Sequence, residues 1–251
     1  MTIPVSSVTT RGAVAVTPHH LATRAALDVM ASGGNAVDGA IAANAMLGMV
    51  LPTTCGIGGD LFALVHRPGD AVPAVLNASG RGGSGVDAGR IRSEGHATMP
   101  LTSPWSITVP GCVDGWLALV ARFGTRPLGE LLAPAVAAGV DGFATSPELS
   151  AALTRIEPRV GGQPSAPALY PGGGPPEPGR VIHRPRLAAV LEAIGDRGRD
   201  AFYAGPVAGA IVDATGGVLT SDDLAANRPD WIEPLGVGLF GLQAWTVPPN
   251  S

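Results

Sequence analysis

The sequence predicts an α+β protein, and three observations support that fold class. Residues 36–49 are mostly small and apolar, which is typical of a buried helix. Two short apolar runs, 61–65 and 72–78, flank the turn Arg67-Pro68-Gly69-Asp70 and predict an antiparallel β-hairpin. Further along the chain, apolar residues recur at helical spacing in several segments as far as residue 224.

The first predicted elements are a short strand and a helix. Residues 12–16 are apolar and predict the strand, and Thr17 is expected to cap a helix that has Pro18 at its first position. His19 and His20 follow in the first turn. Adjacent helical residues point about 100° apart, so we do not expect this pair to bind a metal ion.

A glycine pair separates the first helix from the second. Gly33 and Gly34 are expected to end the first helix, because glycine enters the left-handed conformation at little cost. Asn35 can cap the next helix, and Asp38 places a negative charge in its first turn. The small side chains of 36–49 predict that other elements pack closely against this helix on more than one side.

The hairpin is bounded by glycines at both ends. The turn Gly56-Ile57-Gly58-Gly59 connects a predicted helix to a predicted strand. The glycine turn of a dinucleotide-binding site instead follows a strand and begins a helix, so we reject nucleotide binding there. The second strand ends in Asn77-Ala78-Ser79-Gly80-Arg81. An arginine between glycines is exposed enough to meet a ligand, and its planar fork suits a carboxylate. The alternative is that Arg81 is a solvent-exposed turn residue.

The rest of the chain is predicted to be mostly helical. Residues 90–100 are expected to form a loop, and residues 105–111 a strand that leads into a turn. Pro134 is expected to break or bend one helix, and Ser146 to cap another. The predicted helices cover 113–124, 128–140, a segment from 147, 186–194, 206–216 and a segment from 219 behind a Thr or Ser cap.

Two further segments differ in character from the helices. Residues 157–185 are dense in proline and glycine and predict a surface loop or linker, with a possible domain boundary. In residues 235–247 the hydrophobicity alternates enough along the chain to predict a final strand.

Composition excludes several functional classes. The chain has 251 residues, 45% hydrophobic and 14% charged, which suits a globular protein. The net charge is −4 and no basic patch is visible, so nucleic acid is not an expected partner. All 16 cationic residues are Arg, which excludes a lysine nucleophile. Cys55 and Cys112 are too few for a disulfide framework and lack metal-ligand spacing, so we expect no metal or cofactor.

The N-terminal residues carry no targeting signal that we identify. They lack the basic and apolar segments of a signal peptide. The apolar stretch 36–51 is shorter than a membrane span requires. We therefore expect a cytoplasmic protein that does not associate with a membrane.

Five segments in order resemble the gamma-glutamyltranspeptidase family. The first joins Gly33-Gly34-Asn35-Ala36-Val37-Asp38 to the small-residue helix and the glycine turn that ends at Phe62. The second is Val109-Pro110-Gly111-Cys112-Val113-Asp114-Gly115-Trp116. The others lie at 131–143, 202–224 and 231–235, so the resemblance covers the chain from about residue 12 to residue 251.

The resemblance implies an N-terminal-nucleophile hydrolase with an αββα sandwich. Its members cleave themselves before a threonine, whose hydroxyl then attacks a gamma-glutamyl amide such as glutathione, with the threonine's own α-amine as base. The cleavage motif Thr-Thr-His-Phe/Tyr is absent here, because Thr9-Thr10 is followed by Arg11-Gly12 and Thr53-Thr54 by Cys55-Gly56. Residues 1–251 are thus expected to be a partial large-subunit domain without a catalytic residue.

The resemblance also implies a partner. The nucleophile is expected on a small subunit or on a C-terminal part that is missing here, so this chain alone should be inactive. Half of a sandwich would leave an apolar face uncovered and should associate with a partner or aggregate. The sequence does not fix the oligomeric state.

Arg81 is the candidate substrate-binding residue. In an ungapped alignment Ser79 takes the place of the family's carboxylate-binding arginine, and Arg81 follows two residues later, on the same side of the strand and about 7 Å along it. Three interpretations stay open: a gamma-glutamyltransferase-like enzyme, a glutaryl or cephalosporin acylase-like amidohydrolase of the same superfamily, and a non-catalytic truncated module. The acyl donor and acceptor also stay open.

Overall fold

The computed structural model describes residues 9–250 and has an α+β fold. The helices are α1 (His20–Ala31), α2 (Ala36–Val50), α3 (Ala88–Ser93), α4 (Cys112–Phe123), α5 (Leu128–Asp141), α6 (Pro147–Val160), α7 (Pro185–Arg197), α8 (Asp200–Tyr203), α9 (Gly205–Thr215) and α10 (Ser221–Ala226). The strands are β1 (Leu61–Val65), β2 (Ala74–Ala78), β3 (Phe143–Ala144), β4 (Val181–Ile182), β5 (Asp230–Ile232), β6 (Leu235–Leu239) and β7 (Leu242–Thr246).

The largest sheet has three antiparallel strands in the order β1-β2-β5. The predicted hairpin is confirmed, with Leu61 opposite Ala78 and Val65 opposite Ala74. The second strand starts two residues later than expected, since Pro73 has no N–H to donate to a ladder. On the other side of β2, Asn77 lies opposite Asp230. Residues far apart in the sequence therefore meet at one end of this sheet.

Helix α2 lies in the core, as its composition predicts. It packs against α1, α4 and α5, and most of its residues are buried. Its start is a reciprocal capping box: the Asn35 side chain accepts from the N–H of Asp38, and the Asp38 carboxylate accepts from the N–H of Asn35. Gly33 ends the preceding segment with a φ of 98°. The predicted cap of α2 is confirmed, and of the two predicted left-handed glycines Gly33 is confirmed, whereas Gly34 does not have a positive φ.

An ion pair between the buried Asp114 and the partly buried Arg199 connects α4 to the segment before β5. Arg199 Nε lies 2.9 Å from Asp114 Oδ1, and the Arg199 guanidinium also donates to the carbonyls of Leu224 and Asn227. The Asn227 side chain donates to the second oxygen of Asp114 at 3.1 Å. This network holds the segment before β5 against α4 and gives the buried carboxylate of Asp114 its partners.

The prediction for residues 12–20 is wrong in two respects. The extended residues 13–17 form no strand within the part of the chain that the structure describes, and the Val16 side chain is exposed. The cap of α1 is His19, whose Nδ1 accepts from the N–H of Leu21, while Thr17 bonds to the backbone of His19. His19 therefore precedes the helix and is not part of its first turn. The rings of His19 and His20 stack, with their centroids 4.6 Å apart.

Residues 90–111 also differ from the prediction. Asp87 caps α3 within the expected loop by accepting from the N–H groups of Gly89 and Arg90. The expected strand at 105–111 is replaced by a 3₁₀ turn at Pro104–Ser106 and an isolated bridge between Thr108 and Gly82. Ser103 caps this 3₁₀ turn, and Pro104 is its first residue, where proline is favoured.

The other differences are smaller. Helix α5 continues through Pro134 without interruption, and Ser146 caps α6 as predicted. The proline- and glycine-rich segment 157–185 begins inside α6 and includes β4, which pairs with β3. The expected single strand at 235–247 is a hairpin, because Phe240 and Gly241 both have positive φ and form a tight two-residue turn.

The β6–β7 hairpin exposes apolar side chains. Leu235, Val237, Leu239 and Leu242 are all at least half exposed. Such a patch agrees with the expectation of an uncovered apolar face. Among residues 9–250, no helix has both the length and the hydrophobicity needed to cross a membrane.

Asp38 gives a pH-dependent contribution to stability. Its buried carboxylate accepts hydrogen bonds from the N–H groups of Asn35 and Thr125 and from the Thr125 hydroxyl. Burial alone would raise the pKa of Asp38, but these hydrogen bonds outweigh burial and hold the pKa below its usual value.

We predict that Asp38→Asn lowers the free energy of unfolding by about 1–3 kcal/mol at pH 7, because an amide offers fewer acceptor sites to these donors. Since the folded-state pKa lies below the unfolded one, the contribution is complete above about pH 5 and is lost as the pH falls through the folded pKa. Urea unfolding at several pH values should show the difference from wild type shrinking below about pH 4.

The matched control is Asp28→Asn on the surface of α1, where the side chain is 64% exposed. It should change stability little at any pH. A deficit of Asp38→Asn that is the same at pH 3 and pH 7 would contradict the role of the ionised carboxylate.

Candidate functional site

Arg81 lies three residues after β2 and has an anchored backbone and an exposed side chain. Its carbonyl accepts from the N–H of Val109 at 2.9 Å, and the next residue, Gly82, forms the bridge to Thr108. The Arg81 side chain is 81% exposed. The guanidinium is therefore presented to solvent from an anchored position, as a ligand-binding arginine requires.

Glycines allow two backbone segments to cross directly beneath Arg81. A Cβ on Gly80 would lie 1.4 Å from the carbonyl oxygen of Val109, and a Cβ on Gly111 would lie 1.9 Å from that of Ala78. The Gly59 carbonyl in turn accepts from the N–H of Gly111 at 3.0 Å. The glycine turn before β1, the end of β2 and the start of α4 thus form one tightly packed backbone junction.

Three neutral polar side chains form a closed set of hydrogen bonds beside this junction. Ser79 Oγ lies 2.7 Å from Asn77 Oδ1 and donates to it. The Asn250 amide donates to Ser79 Oγ at 2.8 Å, and its oxygen accepts from Asn77 Nδ2 at 3.0 Å. Each of the two amides uses one N–H in these bonds and keeps the other for a ligand oxygen. Ser79 is therefore part of a polar surface.

One carboxylate pairs with Arg81, and another binds the backbone of the preceding residue, Gly80. Asp230 Oδ2 is 4.0 Å from Arg81 Nη2, and its side chain is 63% exposed. Asp60 Oδ1 accepts from the N–H of Gly80 at 3.2 Å. The site therefore combines one cation, two anions and neutral amides. Its chemistry suits the recognition of a small charged group.

Burial makes Cys112 a poor nucleophile. Cys112 is buried, and burial raises the pKa of its thiol to about 12, so the thiol is protonated at neutral pH. Cys55 is half-buried. The predicted absence of a catalytic residue stays a prediction, since it concerns the chemistry of a complete enzyme.

The sequence alone missed three members of this site. Asp60 directly follows the glycine turn, and this position next to the turn could have indicated it as a site residue. Asp230 was missed because the β2–β5 pairing joins strands about 150 residues apart, which no local pattern shows. Asn250 was missed for the same reason, since it lies 171 residues from Ser79.

The comparison with known families gives a direct result. A sequence profile described as gamma-glutamyltranspeptidase matches residues 22–251. The chain belongs to the gamma-glutamyltranspeptidase family. The resemblance found in the ordered motifs is confirmed over nearly the whole chain.

Three similar proteins place the chain within this family. The glutathione hydrolase-like YwrD proenzyme of Bacillus subtilis is 34% identical over 94% of this chain and 46% of its own length. The structure of cephalosporin acylase from Bacillus halodurans matches with a TM-score of 0.88 and 33% identity, over 100% of this chain and 50% of that one. The Helicobacter pylori gamma-glutamyltranspeptidase structure matches with a TM-score of 0.87 and 26% identity, over 99% and 72%.

These matches confirm the predicted fold class. The chain has the α+β fold of the N-terminal-nucleophile hydrolases of this family, and it spans about half the length of the curated relatives it matches. The part of the fold present here corresponds to the large-subunit portion.

The backbone junction gives a testable prediction. Gly80→Ala should destabilise the protein by about 3 kcal/mol or more, because the new methyl group meets a backbone carbonyl that cannot move aside. Thermal unfolding measures the effect.

Gly82→Ala is the control, because a Cβ there has no neighbour within 4 Å. It should change stability by no more than about 0.5 kcal/mol. Equal melting temperatures for the two variants would show that the strand end and residues 109–111 do not cross as described.

Proposed function

We propose that this chain is the large-subunit part of an enzyme that hydrolyses gamma-glutamyl amides such as glutathione, or transfers their acyl group, and that Arg81 binds the carboxylate of the substrate. The exposed guanidinium of Arg81 on an anchored backbone is the observation that carries this proposal. Membership of the family supports the reaction type. Residues 1–251 would act as one partial domain, with 157–185 as its proline- and glycine-rich loop.

The proposal divides the work between this chain and a partner. A small subunit, or a C-terminal part of the same polypeptide, would supply the threonine nucleophile. Its hydroxyl would add to the amide carbon while the proton passes to the threonine's own α-amine, and the leaving amine would take that proton as the acyl-enzyme forms. Water or an acceptor amine then takes the acyl group.

This chain contributes recognition and orientation. Arg81 can hold a carboxylate by two parallel hydrogen bonds, which fixes its orientation as well as its position. Asn77 and Asn250 each have one N–H left to bind the same group. A substrate held at its charged end would have its amide carbon at a defined distance from Arg81. Holding the reacting groups in a fixed geometry in this way accelerates a bimolecular attack.

A second candidate is an acylase that acts on glutaryl-type amides. Ser79 supports it, because a neutral residue stands where transpeptidases have arginine and the positive charge lies two residues further on. The likeness to the Bacillus halodurans cephalosporin acylase also supports it. The two candidates are separated by the anilide that the complete protein cleaves, gamma-glutamyl or glutaryl.

We predict that Arg81→Ala in the complete protein lowers kcat/KM for its preferred anilide by about 100-fold or more, because the charged hydrogen bonds to the carboxylate are lost. Arg81→Lys should recover part of this activity, since lysine keeps the charge but not the fork. Initial rates with chromogenic anilides measure both.

The control is Arg155→Ala, which removes an exposed arginine of α6 that has no hydrogen bond or ion pair with any other residue of 9–250. It should leave kcat/KM unchanged. If Arg81→Ala kept wild-type activity, the assignment of Arg81 would be wrong.

A further inference from the structure

The hydroxyl of Tyr203 is hydrogen-bonded to the backbone segment that supports Arg81. Tyr203 is the last residue of α8 and is only 3% exposed. Its hydroxyl donates to the carbonyl of Pro110 at 2.6 Å and accepts from the N–H of Asp114 at 3.2 Å. One side chain therefore joins α8 to the residues that cross Gly80 and then begin α4.

The same hydroxyl helps to start α4, which has no side-chain cap of its own. The residue before the helix is Gly111, which has no side chain to accept from the first N–H groups. The N–H of Cys112 instead donates to the carbonyl of Gly59 at 2.9 Å, and that of Asp114 donates to Tyr203. The start of α4 is thus held by groups from two other parts of the chain.

The surroundings of Tyr203 fix both the protonation and the position of this hydroxyl. Burial raises the pKa of the Tyr203 hydroxyl above its usual value, and the nearby carboxylate of Asp114 raises this pKa further. The hydroxyl is therefore protonated at neutral pH and can donate to Pro110. The Arg199 guanidinium lies 4.4 Å from the centre of the Tyr203 ring, and the Phe202 ring packs edge-on with its centroid 5.0 Å away. These contacts leave the ring little freedom to move.

The connection continues from Pro110 to Arg81 through backbone atoms. Val109, next to Pro110, donates its N–H to the carbonyl of Arg81 at 2.9 Å. Gly80, next to Arg81, crosses this segment so closely that a Cβ there would lie 1.4 Å from the carbonyl oxygen of Val109. Because the two backbones are in direct contact, a displacement of residues 109–111 would also displace the backbone of Arg81.

We propose that Tyr203 is a positioning residue for Arg81: its hydroxyl holds residues 109–111 in place, and these residues fix the backbone that presents the guanidinium. The inference rests on the proposed function, because it concerns how the substrate-binding arginine is held. It assigns an effect on substrate binding to a side chain that is itself buried and belongs to a different helix.

The test is a double-mutant cycle in the complete protein that contains this chain and its nucleophile-bearing part. We measure kcat/KM for the preferred anilide with wild type, Tyr203→Phe, Arg81→Ala and the double variant. Tyr203→Phe should lower kcat/KM about tenfold in the wild-type background, mainly by raising KM, because Arg81 is displaced from the carboxylate of the substrate. In the Arg81→Ala background the same substitution should change kcat/KM by less than about twofold, because the guanidinium that Tyr203 positions is already absent.

The matched control is Tyr170→Phe, which alters the only other tyrosine of the chain. Tyr170 is also buried, and its hydroxyl donates to the carbonyl of Leu153 in α6 at 3.0 Å. The substitution removes a buried hydroxyl–carbonyl hydrogen bond, as Tyr203→Phe does, but not at the junction beneath Arg81. It should lower the melting temperature and leave kcat/KM unchanged in both backgrounds. All rates are measured below the unfolding transition of each variant, so that every protein is folded.

Two results would overturn the inference and leave the proposed function in place. A loss by the same factor in both backgrounds would show that Tyr203→Phe causes a general structural defect. Wild-type kcat/KM for Tyr203→Phe would show that the hydroxyl does not position Arg81.

If Tyr203→Phe does not fold, hydrogen exchange of the wild-type protein decides the question. The N–H groups of Val109 and Asp114 should exchange through one shared opening, with the same dependence on urea, because the Tyr203 hydroxyl joins their segments. Exchange of Val109 through a separate opening of lower free energy would contradict the inference.

Failure of the proposed function has a different signature. A wild-type protein that cleaves neither the gamma-glutamyl nor the glutaryl anilide would remove the proposed function and this inference together. An Arg81→Ala variant that cleaves its anilide at the wild-type rate would remove the assignment of Arg81, and this inference with it.

Discussion

The small size of the side chains on helix α2 is the constraint on which the rest of the structure depends. A Cβ on Gly39 would lie 3.1 Å from the carbonyl oxygen of Ala26 in α1, and one on Gly48 would lie 3.5 Å from Cα of Gly56 in the turn before β1. On a third side, Gly139 of α5 packs against the side chain of Met49. Close packing of this kind leaves little tolerance for added volume.

The position of the site follows from the same packing. Because the turn after α2 is held in place, β1 and β2 start from a fixed point, and Gly80 and Gly111 can then bring two backbone segments into contact. A backbone junction has fewer rotatable bonds than a cluster of side chains, so it positions Arg81 without restricting its guanidinium. Rigid support beneath a free functional group is what a recognition site requires.

The sequence predicted the features that depend on neighbouring residues. The cap of α2 by Asn35 and Asp38, the β1–β2 hairpin and the exposed arginine between two glycines all follow from local chemistry. The errors at residues 12–16 and 105–111 have one cause, since an apolar run forms a strand only where a partner strand lies beside it. Local pattern cannot show whether that partner exists.

The remaining members of the site depend on contacts between distant parts of the chain. Asp230 reaches Arg81 through a strand pairing, and Asn250 reaches Ser79 from the last described residues. Neither residue stands in a motif that indicates binding. The family resemblance predicted the reaction type, and the sequence showed the shifted position of Arg81, but the contacts with Asp230 and Asn250 became visible only in the structure.

The most direct measurement is a crystal structure of the complete protein with glutamate bound as the product of the reaction. We predict the α-carboxylate of glutamate on the Arg81 guanidinium, with nitrogen–oxygen distances of about 2.7–2.9 Å. Glutamate held by other residues, with Arg81 still in solvent, would contradict the central claim that this chain recognises the substrate.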